Sequence, residues 1–262
     1  AIRAAQLGAE VTVIEKSHVG GTCLNEGCIP TKALLHSAEV YENAKNGADI
    51  GIIAQPVLDF TKVMERKNAV VKRLVDGIHA LLKANGVNII EGEGSFVDRT
   101  TVKVKTAYGE REIVSDKYII ATGSVPSTVP IKGIDSPQCI DSTGALSLEK
   151  CPESMVVIGG GVIGGEMATA YSSFGTKVTI VEMLPRLLMN MDEDMTAVAV
   201  KAIEKNGAEI MTSTKVVSVD NMGKKAVVTV EKDGVKEQIE AEKVLVCIGR
   251  IPNTDSLNLE AA

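Results

Sequence analysis

The sequence predicts an α/β fold, because short apolar strands alternate along it with helices of amphipathic pattern. Near the middle of the chain, an apolar strand at residues 155–158 is followed directly by a glycine-rich turn and a helix at residues 161–174. In addition, residues 5–15 and residues 172–182 share one pattern, in which a helix end, a glycine and a strand lead to a glutamate. The chain therefore reads as two copies of one unit, the first without its opening strand and glycine turn.

Hydrophobic periodicity and turn residues assign the elements in chain order. The predicted helices are at residues 1–10, 30–46, 59–85, 161–174 and 192–206. The predicted strands are at residues 11–15, 87–91, 101–105, 110–114, 117–122, 155–158, 177–182, 209–211, 216–219, 226–231, 238–241 and 243–247. A connector rich in proline, serine and glycine at residues 124–147 separates a first expected domain, residues 1–148, from a second, residues 149–262. Neither end has the pattern of a natural terminus, so we expect a fragment cut at both ends.

Composition excludes several classes of protein. The 262 residues are 45% hydrophobic and 24% charged, with a net charge of −6, which is typical of a globular protein. Because the chain has no basic run and no long apolar stretch, we expect it neither to bind nucleic acid nor to span a membrane. The five cysteines do not suggest a secreted disulfide scaffold. The three histidines lie outside any cluster with metal-ligand spacing, so no metal site is predicted.

The glycine-rich turn has the spacing of a dinucleotide-binding site. Gly159, Gly161 and Gly164 form G-x-G-x-x-G between a strand and a helix, where glycines let backbone N–H groups approach a pyrophosphate. Glu182 ends the next strand, where an acid accepts hydrogen bonds from a ribose 2′-hydroxyl and repels a 2′-phosphate. The motif therefore favours NAD over NADP, with a purely structural glycine turn as the alternative. Glu15 has the equivalent position in the first copy and is expected to hold a second nucleotide, a solvated acid being the alternative.

Residues 20–32 carry the second chemical motif. Cys23 and Cys28 follow Gly20 and Gly21, and Pro30 stands where the first turn of a helix is expected. A thiol at a helix N-terminus is typical of a reactive cysteine. The loop between the two cysteines is too short for a bridge to add much chain-entropy stabilisation. The segment therefore predicts a redox-active dithiol, with two unrelated small residues or a pair of metal ligands as the alternatives.

The string Gly-Gly-Thr-Cys-Leu-Asn-Glu-Gly-Cys-Ile-Pro-Thr-Lys at residues 20–32 resembles the active-site motif of the pyridine nucleotide–disulfide oxidoreductases. The resemblance covers essentially the whole chain, which corresponds to the middle part of a family member. It implies two Rossmann-like FAD- and NAD(P)-binding domains of the disulfide-reductase type, the first incomplete, with FAD and NAD as cofactors. The resemblance also implies a C-terminal dimerisation domain with a catalytic His–Glu pair, which we expect to lie outside these 262 residues.

The resemblance also assigns roles to individual residues. Cys28 would contact the flavin, and Cys23 would exchange with the substrate. Lys32 would lie near the flavin and pair with Glu166. The alternative for Lys32 is a solvated helix lysine, and the alternative for Glu166 is an exposed helix acid. Besides Cys28, the residues implied to contact FAD are Glu15, Lys16, Gly20, Gly21, Thr22, Cys23, Lys32, Gly94, Ala121, Thr122, Gly123 and Ser124. Those implied to contact NAD are Gly159, Gly160, Gly161, Val162, Ile163, Gly164, Gly165, Glu166, Glu182, Val216 and Gly249.

Within the family, the motifs are most similar to those of members that oxidise protein-bound dihydrolipoamide and reduce NAD⁺. The resemblance then implies lipoyl domains of 2-oxoacid dehydrogenase or glycine-cleavage complexes as partners, and a homodimer for the full-length protein. Glutathione-reductase-like and mercuric-reductase-like members are the alternatives. For the chain as it stands, which we expect to be inactive, a non-catalytic NAD-binding module is a further alternative. The expected location is the bacterial cytoplasm, with the mitochondrial matrix as the alternative.

Overall fold

The computed structural model describes all residues from 1 to 262. The helices are α1 (Ile2–Gln6), α2 (Gly21–Glu26), α3 (Cys28–Lys45), α4 (Phe60–Ala84), α5 (Ser142–Ala145), α6 (Val162–Ser173) and α7 (Glu193–Lys205). The strands are β1 (Thr12–Glu15), β2 (Asn88–Glu91), β3 (Glu93–Asp98), β4 (Thr101–Thr106), β5 (Gly109–Val114), β6 (Ser124–Pro126), β7 (Cys139–Ile140), β8 (Ser154–Ile158), β9 (Lys177–Val181), β10 (Glu209–Met211), β11 (Lys215–Asn221), β12 (Ala226–Lys232), β13 (Val235–Ala241), β14 (Lys243–Val246) and β15 (Arg250–Pro252). Short 3₁₀ helices are at Gly47–Ile50, Asp255–Leu257 and Leu259–Ala261. The predicted α/β class is confirmed.

Contacts divide the chain into two units, each assembled from separate segments. Unit 1 comprises residues 1–25, 69–125 and 251–262, and unit 2 comprises residues 26–68 and 126–250. The chain passes from one unit to the other within α2, α4, β6 and β15. This division follows contacts alone, and the assignment of residues 1–148 and 149–262 to an FAD domain and an NAD domain stays a prediction.

A five-stranded parallel sheet forms the centre of unit 2. Its strand order is β10-β9-β8-β14-β7, and four of the five residues of β8 are buried, as expected for a parallel sheet covered on both faces. One core cluster includes Leu34 of α3, Met167 of α6 and Met155 of β8. A second cluster joins Val156 of β8 to Val228 of the antiparallel sheet β11-β12-β13. This packing fixes the carboxyl ends of β8 and β9, where the glycine turn and Glu182 lie.

Unit 1 has a smaller parallel pair and a separate antiparallel sheet. Strands β1 and β2 pair in parallel from Thr12 opposite Asn88 to Glu15 opposite Glu91. Strands β3, β4 and β5 form the antiparallel sheet in that order. Ile90 packs in one cluster with the β3 and β4 side chains, so the two small sheets of unit 1 share a core. This places Glu15 at the carboxyl end of a parallel strand, as the predicted repeat requires.

One predicted strand is wrong. The apolar run at residues 117–122 has no ladder partner and is not a strand. Ile119 and Ile120 within it are 82% and 50% exposed. A strand needs a hydrogen-bonded neighbour as well as apolar composition, and only the composition can be read from this run.

The segment around Cys23, predicted as a loop, instead contains helix α2. Gly20 and Gly21 have φ angles of +110° and +72°, a conformation that side chains disfavour, and they turn the chain into the helix. The Asn25 side-chain amide then donates to the carbonyl oxygens of Val19 and Gly21, at 3.2 and 3.0 Å. Because these contacts replace a free loop, Cys23 lies on ordered helical backbone.

Candidate functional site

Packing explains three of four glycines in the turn after β8 and the first turn of α6. Gly159 has a φ of +105°, and a Cβ there would lie 2.5 Å from the backbone carbonyl oxygen that follows β14. A Cβ on Gly160 would meet a leucine side chain, and one on Gly164 would meet the Gly159 carbonyl oxygen. Gly161 differs, since a Cβ there would have no heavy atom within 4 Å. The turn is therefore closed on its inner side and open at Gly161.

The open space at Gly161 fits a dinucleotide phosphate. Gly161 is the N-cap of α6 and contributes no side-chain cap. The first backbone N–H groups of the helix, from Val162 to Gly164, have no acceptor within it and point out of its positive end. The first to bond back is the Gly165 N–H, which donates to the Gly161 carbonyl oxygen at 2.9 Å. Exposed N–H groups at a helix N-terminus are a common binding site for a pyrophosphate.

Glu182 closes the other side of the glycine turn. Its Oε2 accepts the Gly160 N–H at 2.6 Å, and its Oε1 accepts the Leu184 N–H at 2.7 Å. The structure thus brings the predicted ribose acid and the predicted phosphate turn into direct contact at the carboxyl ends of β8 and β9.

The first copy of the repeat has the same local geometry. The Glu15 carboxylate accepts the N–H of Ser17, two residues on, at 2.8 Å, as Glu182 accepts the N–H of Leu184. The internal similarity seen in the sequence therefore extends to the hydrogen bonds of the two strand ends.

Two other predicted FAD residues follow or face β1. Lys16 lies 3.6 Å from Glu93 in an exposed ion pair. A Cβ on Gly94 would lie 3.3 Å from Val102 and 3.5 Å from Ile14, so the residue allows β3 to approach β1. Close packing between the strands therefore explains the glycine at position 94 without any cofactor.

The strand-end turn at residues 121–124 is held by a residue that the sequence reasoning did not single out. The Asn253 backbone N–H donates to the Gly123 carbonyl oxygen at 3.0 Å, and its side-chain amide donates to the Thr122 carbonyl oxygen at 3.3 Å. A Cβ on Gly123, whose φ is +72°, would lie 3.3 Å from the Thr22 hydroxyl. Three of the predicted FAD residues thus lie together. Ala121 is exposed and Ser124 begins β6.

The two remaining predicted NAD residues lie apart from the glycine turn in sequence. Val216 is half-buried on β11 and pairs with Val230 of β12. Gly249 has a φ of +119°, and its carbonyl oxygen accepts the Ser127 N–H at 3.0 Å. Gly249 thus forms a backbone hydrogen bond in a conformation that favours glycine, whereas Val216 contributes an apolar side chain to the sheet.

Lys32 and Glu166 form the predicted pair. The Lys32 Nζ lies 2.7 Å from Glu166 Oε1, and the two side chains are 58% and 27% exposed. Lys32 stands one helical turn after Cys28, which begins α3, and Glu166 lies in the second turn of α6. The pair therefore joins the helix that begins at a cysteine of the dithiol motif to the helix that begins at the glycine turn.

The cysteines differ in burial. Burial raises the pKa of Cys247 to about 12 and also raises the pKa values of Cys139 and Cys151. Thiols of raised pKa remain protonated at neutral pH and are poor nucleophiles. Cys23 and Cys28 are both exposed. Accessible thiol chemistry is therefore concentrated in the segment that the sequence singled out.

Two further findings concern metals and membranes. Nowhere do three or more His, Cys, Asp or Glu side chains gather as a metal ion would require. None of the helices combines the length and the apolar character needed to cross a bilayer.

Comparison with known proteins decides the family. The sequence pattern of the pyridine nucleotide-disulphide oxidoreductases matches residues 1–262. The chain belongs to this family. Its members use FAD and NAD(P), and the Rossmann-type fold implied by the resemblance is confirmed. The open space at Gly161 leaves room for a phosphate at the glycine turn.

Several curated relatives within the family are named dihydrolipoyl dehydrogenase. The chain is 46% identical to one from Geobacillus stearothermophilus and 44% identical to one from Staphylococcus aureus, over 99% of this chain and 55% and 56% of theirs. A mitochondrial dihydrolipoyl dehydrogenase from Pisum sativum is 42% identical over 99% of this chain and 53% of its own length. The chain thus spans about half the length of the curated relatives it matches.

Solved structures of the family agree with this fold. LpdA from Mycobacterium tuberculosis superimposes with a TM-score of 0.89 at 26% identity, covering 100% of this chain and 57% of its own. The HOCl-induced flavoprotein disulfide reductase RclA from Escherichia coli superimposes with a TM-score of 0.85 at 32% identity, covering 100% of this chain and 56% of its own.

Proposed function

We propose that the full-length protein is a dihydrolipoyl dehydrogenase, which oxidises protein-bound dihydrolipoamide to lipoamide and reduces NAD⁺. The observation that carries the proposal is the 2.7 Å pair between Lys32 and Glu166. The pair lies where the helix of the dithiol motif packs against the helix of the dinucleotide turn, an arrangement that suits a protein that passes electrons between a thiol pair and a nicotinamide. The name shared by relatives of 40–46% identity supports lipoamide as the substrate.

The dithiol would perform the substrate half of the reaction by thiol–disulfide exchange. In the oxidised protein Cys23 and Cys28 would form a disulfide. A substrate thiolate attacks the Cys23 sulfur, the bond between the two cysteines breaks, and Cys28 leaves as a thiolate. The second substrate thiolate then attacks the substrate sulfur of the mixed disulfide, which closes the lipoamide ring and releases Cys23. The two substrate thiols lose two protons to solvent, and their two electrons remain on the cysteine pair.

The cofactor assignments follow from the strand ends. Glu182 would accept hydrogen bonds from the adenosine ribose of NAD, and the N–H groups from Val162 to Gly164 would hold its pyrophosphate. Glu15 would hold the adenosine ribose of FAD in the same way. FAD, when bound, supplies the two-electron carrier between the cysteine pair and NAD⁺. Lys32, one turn from Cys28, would contribute a fixed positive charge on the dithiol side.

The proposal extends to partners and location. Lipoyl domains of 2-oxoacid dehydrogenase or glycine-cleavage complexes would present the substrate, and the full-length protein would act as a homodimer. The bacterial cytoplasm is the proposed location. None of these features needs a nucleic-acid or membrane surface.

Steady-state kinetics of the full-length protein test this function. We expect reduction of NAD⁺ with free dihydrolipoamide, and near-complete loss of that activity in Cys23→Ser and in Cys28→Ser. Cys139→Ser is the matched control, because its thiol is half-buried with a raised pKa and lies outside the proposed chemistry. Faster turnover of glutathione disulfide with NADPH would instead assign the protein to the glutathione-reductase-like branch. Full activity in Cys28→Ser would overturn the mechanism.

A second function applies to the 262 residues by themselves, namely an NAD-binding module. The observation that favours it is that β8, the glycine turn, α6, β9 and Glu182 all lie within unit 2. Titration calorimetry of the chain with NAD, together with a visible absorption spectrum, tests it. Saturable binding by a colourless protein supports the module, whereas bound flavin colour that bleaches with dihydrolipoamide would favour the complete dithiol chemistry.

A further inference from the structure

Both backbone polar groups of Gly160 form hydrogen bonds to the segment that follows β9. Its N–H donates to the Glu182 carboxylate at 2.6 Å, and its carbonyl oxygen accepts the Leu188 N–H at 2.9 Å. Leu187, which is 1% exposed, occupies the space that a Gly160 side chain would need. The glycine turn therefore depends on the residues after β9 for its conformation as well as on its own glycines.

Leu188, which donates one of these hydrogen bonds, has an unfavourable backbone conformation. Leu188 has a φ of +51°, in the left-handed region that residues with a side chain rarely adopt. Such a conformation persists only where surrounding contacts enforce it, and it tends to occur at functional sites. The Leu188 carbonyl oxygen accepts the Met191 N–H at 2.9 Å, which by itself closes only one turn. The partly buried Leu188 side chain packs against the core, and one polar side chain contacts the carbonyl groups that follow it.

Arg186 supplies that contact. Its Nη1 donates to the Met191 carbonyl oxygen at 3.1 Å and to the Thr196 hydroxyl at 3.2 Å, and its Nη2 lies 3.4 Å from the Met189 carbonyl oxygen. All three acceptors are uncharged, so the guanidinium acts here as a fork of fixed donors. It binds the carbonyl groups on the far side of Leu188 and ties them to the first turn of α7.

We propose that Arg186 is a positioning residue for the dinucleotide. By holding Leu188 in the left-handed conformation, it keeps the Leu188 N–H on Gly160 and so fixes the glycine turn before NAD arrives. A site ordered in advance avoids the entropic cost of ordering during binding. The inference rests on the proposed NAD site, and it adds a residue whose hydrogen bonds go to the loop after β9 and to α7.

Calorimetric NAD binding by the full-length protein tests the proposal. We expect Arg186→Gln to weaken NAD binding about tenfold, because the loop then orders only with the ligand. The Michaelis constant for dihydrolipoamide is expected to stay unchanged. Arg73→Gln is the matched control, since Arg73 is exposed on α4 in unit 1 and should leave both values unchanged.

A second variant separates positioning from general support of the fold. Glycine adopts the left-handed region without penalty, so Leu188→Gly retains the N–H and removes the strain, although it also removes a partly buried side chain packed against the core. The effect of Arg186→Gln is therefore measured in the wild type and again in the Leu188→Gly background, and it should be smaller in the second. An equal effect in both backgrounds, or unchanged NAD affinity in Arg186→Gln, overturns the inference. If the unmodified protein itself binds no NAD, the proposed function fails instead.

Discussion

At the scale of single residues, Gly161 and Gly164 lie in one turn but have different surroundings. A Cβ at position 161 enters open space, so Gly161→Ala should change the free energy of unfolding by at most about 1 kcal/mol. It should nevertheless weaken NAD binding, because the methyl group occupies the space assigned to the pyrophosphate. Gly164→Ala should cost about 1–3 kcal/mol of stability, since its methyl group meets the Gly159 carbonyl oxygen. Urea denaturation and calorimetry measure the two effects.

Gly77 provides the control for these substitutions. It lies inside α4, and a Cβ there would have no neighbour within 4 Å. Gly77→Ala should stabilise the protein by roughly 0.5–1 kcal/mol and leave NAD binding unchanged, because alanine favours the helix. An unchanged NAD affinity in Gly161→Ala would contradict the assignment of the open space.

Lys67 predicts a pH dependence of stability. It is 6% exposed, its ammonium donates to the Leu146 carbonyl oxygen, and burial lowers its pKa. Between that lowered pKa and the unfolded value of about 10.4, the unfolded chain binds more protons than the native one, so this residue's contribution to stability rises with pH. As pH increases through that window, the wild type should therefore gain stability relative to Lys67→Met. Urea denaturation at a series of pH values measures it, and a pH-independent difference would contradict the prediction.

At the scale of elements, the pair between Lys32 and Glu166 should couple α3 to α6. Because Lys32 is 58% exposed, solvent screening limits the coupling free energy to at most about 1 kcal/mol. A double-mutant cycle with Lys32→Met and Glu166→Gln, followed by denaturation at low and high salt, measures it. The coupling should decrease with salt.

The pair between Glu42 and Lys45, at 3.0 Å within α3, is the control for that cycle. It joins one turn of a single helix, so its coupling should be about 0.2–0.5 kcal/mol. Absence of coupling between Lys32 and Glu166 at low salt would show that packing alone holds α3 against α6.

The elements also show what local pattern can and cannot predict. Strand β8, helix α6 and strand β9 are predicted correctly, because buried parallel strands read as apolar runs and the glycine turn marks their junction. Strand β3 was missed, since Gly94 interrupts it and its apolar content is low. The strand predicted at residues 117–122 failed for the opposite reason, as its apolar run lacks a partner. Pairing is a long-range property that a run of residues does not encode.

The same limit applies to the site. Glu182 could be predicted from its distance to the glycine motif, whereas the pair between Lys32 and Glu166 was expected only from the resemblance to the family. The contacts of Arg186 could not, because they depend on where backbone carbonyl groups of a folded loop point. Asn253 was missed likewise, since its acceptors at Thr122 and Gly123 are distant in sequence. Side chains that recognise backbone carbonyl groups leave little trace in a single sequence.

At the scale of the whole molecule, NAD should stabilise the fold. A ligand that binds only the folded state adds about 2.7 kcal/mol at a hundred times its dissociation constant. NADP at the same concentration should add much less, because the Glu182 carboxylate repels a 2′-phosphate. Thermal denaturation with each nucleotide measures the difference, and equal stabilisation by both would refute the role of Glu182 in selecting NAD.

The way the chain divides between its two units has a consequence for inheritance. Neither unit is one continuous stretch, and four crossings lie within α2, α4, β6 and β15. A single genetic recombination within residues 26–250 of two related genes would therefore place sequence from both parents in each of the two units. Residues that pack together within a unit, but lie in separate segments of the chain, would then come from different parents. We therefore expect substitutions at such packed positions to be correlated between distant segments of the sequence.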